Sequence, residues 1–561
     1  MDRNSVSHFA MNPTRLDMSR STFDRSHSVK LTFNTGKLIP FYCDEVLPGD
    51  TFNVDTSKVC RMQTLITPVM DNLYLDTYFF FVPNRLVWDK WKNFMGESEN
   101  AWIPKTEYSV PQVTLPSGGF ANGTVADYFG VPTKVSGSGT TLNALPFRAY
   151  ALIYNEWFRD ENLIDPVLIP TDSIQATGSN DNPVYGGQPF TACKYFDLFT
   201  GALPSPQKGP DVSLSLVDSI PVYATNDNTP AFATQANMRF ANVGQFSIKA
   251  ITGANCWAPG VSVTNGEMPV GSVGTSALVG GTTQLIEGSG YKMSPANLWA
   301  VPGSQVNLAT INQLRTAFQI QKLYERDARG GTRYIEVLKS HFGVTSPDAR
   351  LQRPEYLGGN RVPININQVV QQSGTAEGST AQGTVTGMSL TTDRHSDFTK
   401  SFVEHGFVIG VMCARYEHTY QQGLERFWSR KTRFDYYWPV FANLGEQAIK
   451  NREIYMQGSA VDEEVFGYQE AWYDYRYKPS RVCGEMRSND SGTLDSWHFA
   501  DNYSSLPALS AAWIKEDASN VDRCLAVQSS AANQFFADVY IKNKCTRAMP
   551  LYSIPGLIDH H

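Results

Sequence analysis

The sequence predicts a mainly β fold, a large sandwich into which helices and long loops are inserted. Three observations carry the prediction. Gly and Pro are abundant, 43 and 31 among 561 residues, and only 18% of residues are charged against 42% hydrophobic, a composition of many turns and many strands. Several stretches alternate in polarity with a period of two, the mark of a strand. Strand-like text also stands near both ends of the chain, so segments far apart in sequence close the core, an arrangement found in jelly rolls.

Residues 1–36 are read as an extended basic arm. The first forty residues carry Arg3, Arg15, Arg20, Arg25, Lys30 and Lys37 against Asp2, Asp17 and Asp24, a net +3, and they are poor in large apolar side chains, so the arm orders only against a partner. Strands are expected at Leu38 to Tyr42 and Thr51 to Val54, joined by the turn Leu47 to Asp50. A longer strand runs from Leu73 to Val82, and both its faces become apolar towards Val82. Such a strand is covered on both sides, by insertions or by another subunit. Val87 to Met95 and Phe147 to Asn162 read as helices, the second with Tyr150, Ile153, Tyr154 and Trp157 at helical spacing.

Between 205 and 300 the composition shifts to eleven glycines and nine charged residues, with many Ser, Thr, Val and Asn. It reads as an irregular, β-rich surface insertion. Two helices follow: Ile311, Leu314 and Phe318 recur at helical spacing before Gly330, and Tyr334, Val337, Leu338, His341 and Phe342 after Gly331. The glycine pair is a helix stop, and Thr332 is a candidate cap for the second helix. Around this corner lie Lys322, Glu325, Arg326, Asp327, Arg329, Arg333 and Glu336, either a solvated helix face or a contact with a neighbouring chain. Gln371 to Thr384 is a polar loop. Strands resume at Phe407 to Arg415 and Phe434 to Trp438, and the alternation of Phe535, Ala537, Val539 and Ile541 marks a closing strand.

The sequence carries few signatures of chemistry. No nucleotide-binding glycine loop, nucleophile elbow or zinc-binding His pair occurs. Asp462, Glu463 and Glu464 are the densest acids, but adjacent side chains diverge, and a solvated turn is the better reading. The neighbours Glu404 with His405, and Glu417 with His418, form no dyad without help from elsewhere. Cys43, Cys60, Cys193, Cys256, Cys413, Cys483, Cys524 and Cys545 lack metal-ligand spacing and read as reduced, mostly buried thiols. No enzymatic role, cofactor or metal is expected. No apolar leader follows Met1, and the apolar runs are too short to span a membrane.

A net charge of −7 argues against a protein that coats nucleic acid with its whole surface, but leaves room for a local basic face. From Arg426 to Trp438 basic and aromatic residues interleave. Single-stranded nucleic acid is held by that combination, cations on phosphates and rings on unpaired bases, at roughly 1–3 kcal/mol per stacked base; aromatic residues in a strand also serve as core. Arg426, Arg430, Lys431 and Arg433, with Arg3, Arg15, Arg20 and Arg25 of the arm, are the candidate DNA contacts.

Several long stretches carry a family resemblance: Tyr74 to Leu86, Leu314 to Gly343, Asp348 to Gly359, Phe434 to Gly458 and Gly467 to Val482. In this order they resemble the major capsid protein of microviruses, small single-stranded DNA bacteriophages, and in particular the gokushovirus branch. The resemblance implies an eight-stranded viral jelly roll with long inserted loops and several helices. Its core would span 37–204 and 301–561, with 205–300 a surface insertion forming a threefold protrusion that meets the host. It further implies self-assembly on the smallest icosahedral lattice, T=1, around a circular single-stranded DNA genome. The implied partners are a DNA pilot protein, a small basic DNA-binding protein, an internal scaffolding protein and a host surface receptor. Assembly would take place in the bacterial cytoplasm and the product would be the virion. Under this resemblance Arg326, Arg329, Gly330, Gly331 and Arg333 become candidate subunit contacts, and Trp472, Tyr473, Tyr475 and Tyr477 are either interface anchors or core. The competing class is a carbohydrate-binding or glycan-cleaving β-sandwich, against which the lack of a carboxylate pair counts.

Overall fold

A computed structural model describes residues 19–97, 107–137, 139–212, 311–376 and 380–552, with the backbone of 222–224 and 298–300. The chain divides into two compact units, one of 1–208 with 324–561 and one of 209–323.

In the first unit nine strands build a sandwich: β1 (Ser21–Asp24), β2 (His27–Phe33), β3 (Ile39–Val46), β4 (Thr51–Met62), β5 (Leu73–Pro83), β6 (Glu355–Pro363), β7 (Thr391–Ser401), β8 (Gly406–Tyr416) and β9 (Phe535–Arg547). One sheet runs β1, β9, β4, β7, with β2 also pairing β9; the other runs β6, β5, β8, β3. All these pairings are antiparallel. Because β1 pairs with the end of β9 and β2 with its start, the two share one edge, and each sheet is four lanes wide. From β2 to β5 and again from β6 to β9 consecutive strands alternate between the two sheets, the jelly-roll arrangement.

The pattern of two decides which side chains face inward. On β9, Phe535, Ala537, Val539 and Ile541 are buried while Phe536, Asp538 and Tyr540 are exposed. They meet Phe33, Phe52, Val54, Phe79 and Met412 in one core between the sheets. β4 is much longer than the strand expected at Thr51 to Val54. Its inward positions continue through Thr56 and Lys58 to Cys60 and Met62, and the two polar residues hide the alternation. The doubly apolar β5 is explained as well: Phe80 and Val82 face a second core with Trp88, Phe147 and Tyr150, so an insertion within the chain covers its outer face. That insertion contains α1 (Leu145–Ile153), which passes into a π-helical turn at Tyr154–Phe158, and the expected helix at Val87 to Met95 is two short turns, Asn84–Val87 and Trp91–Phe94.

Part of the stretch expected as an arm, 1–36, is sandwich instead. Leu31 and Phe33 are buried and pair through β2 with the last strand, so residues 21–33 belong to the sandwich; 1–18 lie outside the described residues. The tract from Gln371 to Thr384 joins a hairpin of Ile366–Val370 and Val385–Ser389, with 377–379 outside the description. Of the 205–300 insertion, only 205–212 and a small antiparallel pair, Val222–Ala224 with Leu298–Ala300, are described.

The two helices of the glycine corner are α2 (Ile311–Gly330) and α3 (Tyr334–Phe342). Gly331 takes a left-handed φ of 87°, the backbone that glycine adopts without strain. Thr332 does not cap α3. Its N–H donates to Glu161 at 2.8 Å and its hydroxyl accepts from Lys208 at 2.8 Å, while the Arg333 N–H reaches Glu336 at 3.1 Å and Glu161 at 3.2 Å. Carboxylates therefore satisfy the open N–H groups of the helix start, where negative charge is favoured. Burial pushes both carboxyls up; the Thr332 N–H holds Glu161 below its ordinary value, and the neighbouring Glu161 charge adds to the rise of Glu336.

Candidate functional site

The basic and aromatic segment from Arg426 to Trp438 is not a strand. It winds through short 3-10 turns at Arg426–Ser429, Arg433–Asp435 and Pro439–Phe441. Asp435 sets the second turn: its carboxylate accepts the Lys431 N–H at 2.9 Å, the Thr432 N–H at 2.6 Å and the Thr432 hydroxyl at 3.0 Å. The backbone bonds from Thr432 and Lys431 hold its carboxyl below the usual range. Pro439 then opens the third turn, a place where its fixed φ costs nothing.

This winding leaves the rings outside. Trp428 is 67% exposed, Val440 88%, and Phe434, Tyr436, Trp438 and Leu444 are all exposed. The surface is ordered from beneath: the Trp438 indole N–H donates to Arg433 O at 2.9 Å, and the buried Trp472 donates to Phe441 O at 2.8 Å. Tyr437 meets Trp472 edge-on with centroids 5.7 Å apart. Beside Trp428 and Arg430 opens a cavity of about 330 Å³, lined also by Phe427, Tyr473, Tyr475 and Lys478.

Arg426 and Arg430, two of the candidate DNA contacts, are neutralised within the chain. Arg426 donates to Glu453 at 2.8 Å and 3.2 Å and lies 4.6 Å above the Tyr473 ring. Arg430 pairs with Asp474 and lies 4.4 Å from the Tyr475 ring centre. Arg433 rests over the Phe434 ring at 4.8 Å, and Lys431 is exposed. Glu453 and Asp474 were invisible to a reading of the segment alone, since they stand 27 and 44 residues downstream of their arginines. Of the aromatic run near 475, Trp472 and Tyr473 are core, whereas Tyr475 is exposed.

The glycine corner joins the same region. Arg329 bonds Glu446, just beyond the aromatic segment, and Glu470 at 3.1 Å. Burial pushes the Glu446 carboxyl up, with the Arg329 charge opposing it. Arg333 donates to Asn155 O at 3.0 Å and Arg159 O at 2.8 Å, and His341 meets Asp327 at 2.7 Å. Much of the charge read as solvated or interfacial is thus spent within the chain, with Arg326 exposed. The arm residues lie apart: Arg25 pairs with Asp44 at 2.7 Å in the sandwich, Arg20 is exposed, and Arg3 and Arg15 are outside the described residues.

The acidic turn is partly buried. Asp462 accepts the Gln457 N–H at 2.9 Å and the Gly458 N–H at 2.7 Å, and Glu463 pairs with Lys450 and, at 2.5 Å, with Arg452. These carboxylates hold a loop together. Among the described residues no group of His, Cys, Asp and Glu is arranged for a metal ion, no disulfide forms, and no helix is long and apolar enough to cross a membrane.

Residues 13–557 match the family model described as capsid protein (F protein). Curated relatives named capsid protein VP1 span almost the whole chain. That of Chlamydia phage 1 is 43% identical, covering 96% of each chain; that of Bdellovibrio phage phiMH2K is 41% identical over 99% of this chain and 98% of the relative; that of Spiroplasma virus 4 is 41% identical over 96% and 95%. A sandwich of jelly-roll type with a wide exposed aromatic face, matched from end to end by these proteins, belongs to the microvirus capsid protein family, and its role is that of a structural major capsid protein of the virion.

Proposed function

We propose that this chain closes a T=1 icosahedral shell around a circular single-stranded DNA genome, and that the aromatic face from Phe427 to Leu444 is covered by a neighbouring copy. The observation that carries the reading is that exposed face. A soluble monomer seldom leaves a large contiguous apolar patch open to water, and aromatic side chains with arginine are enriched in interface cores. The adjoining corner of Arg326, Arg329, Gly330, Gly331 and Arg333 extends the contact. Each subunit of a closed shell meets several neighbours, so individually modest contacts add through geometry.

DNA contact falls to a smaller set than the sequence suggested. Arg426, Arg430 and Arg25 have internal counter-ions, whereas the exposed Lys431, Arg433 and Arg20 are available to phosphates, and Arg3 and Arg15 stay in the proposed set. Residues 205–300 are the surface insertion of this reading, used in host attachment. Pilot, DNA-binding and scaffolding proteins complete the assembly in the bacterial cytoplasm.

Sedimentation of two double variants tests the division. Phe434→Ser with Trp438→Ser is expected to give folded subunits that fail to close shells. Lys431→Glu with Arg433→Glu is expected to give shells that retain less DNA. Normal shells from the first variant would refute the interface assignment, and unchanged DNA content in the second would remove these cations from the genome contact.

A further inference from the structure

The interior of the sandwich contains a lysine. Lys58 stands at an inward position of β4, its side chain 2% exposed. Its register partner on β7 is Asp393. Across the core, Thr77 on β5 and Asn360 on β6 are also register partners. Two cross-strand pairs, one from each sheet, therefore meet face to face.

Their polar atoms are arranged in a particular way. Lys58 Nζ contacts Asn360 Oδ1, donates to Thr77 Oγ1 at 3.1 Å, and lies 3.1 Å from Asp393 Oδ2. The same Asp393 oxygen accepts from Asn360 Nδ2 at 2.9 Å. The Thr77 hydroxyl donates to Asn360 Oδ1 at 2.8 Å. One carboxylate oxygen thus touches both the lysine nitrogen and the amide nitrogen, and a hydroxyl holds the amide oxygen. A buried ion pair also needs hydrogen bonds for its remaining protons and lone pairs; here a single side-chain amide serves both members, Oδ1 against Lys58 and Nδ2 on Asp393, which sets the amide beside the amine.

We propose that Lys58 and Asn360 condense into an isopeptide bond that joins the two sheets, with Asp393 moving the protons and Thr77 holding the carbonyl oxygen. The Nζ lone pair attacks Asn360 Cγ, and the Nζ–Cγ bond forms as the carbonyl electrons move to Oδ1, where the Thr77 hydroxyl receives the developing charge. Asp393 takes protons from Nζ and delivers them to Nδ2. The Cγ–Nδ2 bond then breaks. Starting from the ammonium form of Lys58, the products are one secondary amide and one ammonium ion, so atoms and charge balance without an oxidant or a further reactant.

Fixed approach of amine to amide replaces an encounter in solution, the condition under which intramolecular reactions gain most. Two electrostatic effects assist. Burial holds the lysine below its ordinary range, which favours the nucleophilic free amine. Burial also pushes Asp393 up, but the bonds from Asn360 and Lys58 outweigh it and keep the carboxyl below its usual value, available as a base. The product would close a loop between positions 302 residues apart. Like a disulfide it would restrict the unfolded chain, and it would be indifferent to reduction.

Peptide mass spectrometry of the purified full-length chain, digested with trypsin under denaturing conditions, tests the bond. The expected product is a branched peptide that joins the segments bearing Lys58 and Asn360, lighter than their sum by one ammonia and uncut at Lys58. The Asp393→Asn variant is expected to lose that peptide. Recovery of the two segments from the native sequence only as separate peptides of full mass, with cleavage at Lys58, would overturn the proposal. Undiminished branched peptide from the variant would overturn the role of Asp393.

Discussion

His418 is held by groups far from it in sequence. Its Nδ1 lies 3.0 Å from Asp501 and its Nε2 3.1 Å from Glu516, with the side chain 1% exposed. Burial alone would push its pKa down, but the two carboxylates hold it up at about 9. Burial likewise raises Asp501, and the His418 charge with Lys194 outweighs it, holding that carboxyl at about 2. The signs are opposite. The histidine lies above its ordinary 6.5, so its stabilisation is complete below that pH and lost as pH rises through about 9; the aspartate lies below its ordinary 3.8, so its share is present above that pH and lost as pH falls towards 2. Subunit stability from this cluster is therefore greatest between these ordinary values. His418→Ala is expected to cost about 3–5 kcal/mol by leaving buried carboxylates without their cation and to flatten the alkaline fall in melting temperature. An unchanged alkaline fall in the variant would contradict the assignment. In sequence His418 offers only its neighbour Glu417, while its actual partners stand 83 and 98 residues further on. No local spacing encodes such a cluster.

Single elements were legible where packing and local preference agree. The apolar spacing on each side of Gly330 and Gly331 is enough to place α2 and α3, because a helix period and a helix stop occur together. The segment from Phe434 to Trp438 misleads for the opposite reason: its aromatic residues favour a strand, yet the Asp435 cap and Pro439 bend it into turns. The cap involves only residues 431–435, so Thr432 with Asp435 was the available signal. For the glycine corner, Gly330→Val with Gly331→Val is expected to destabilise the junction. A side chain at Gly331 would have to adopt a left-handed φ at a cost of about 1–3 kcal/mol and would meet the Glu336 and Glu161 carboxylates that hold the start of α3. Denaturant midpoint and shell yield should both fall. Native values for both would show that the corner serves neither folding nor assembly.

For the whole molecule, alternation reveals which side chains face the core but not which strand lies beside which. Phe535, Val539 and Ile541 announce an inward face, whereas the place of β9 between β2 and β4 depends on contacts such as Thr35 with Gln534, 499 residues apart. The same separation of partners hides the counter-ions of Arg426 and Arg430, so the aromatic face was legible as a segment and its exposure was not. In the proposed function the open face is the seat of a neighbour of the same kind. Electron cryomicroscopy of particles assembled from this chain is the direct test. Closed T=1 particles in which Phe434 and Trp438 are buried against an adjacent copy are expected. Particles that leave these rings open to solvent, or a chain that remains monomeric, would contradict that expectation.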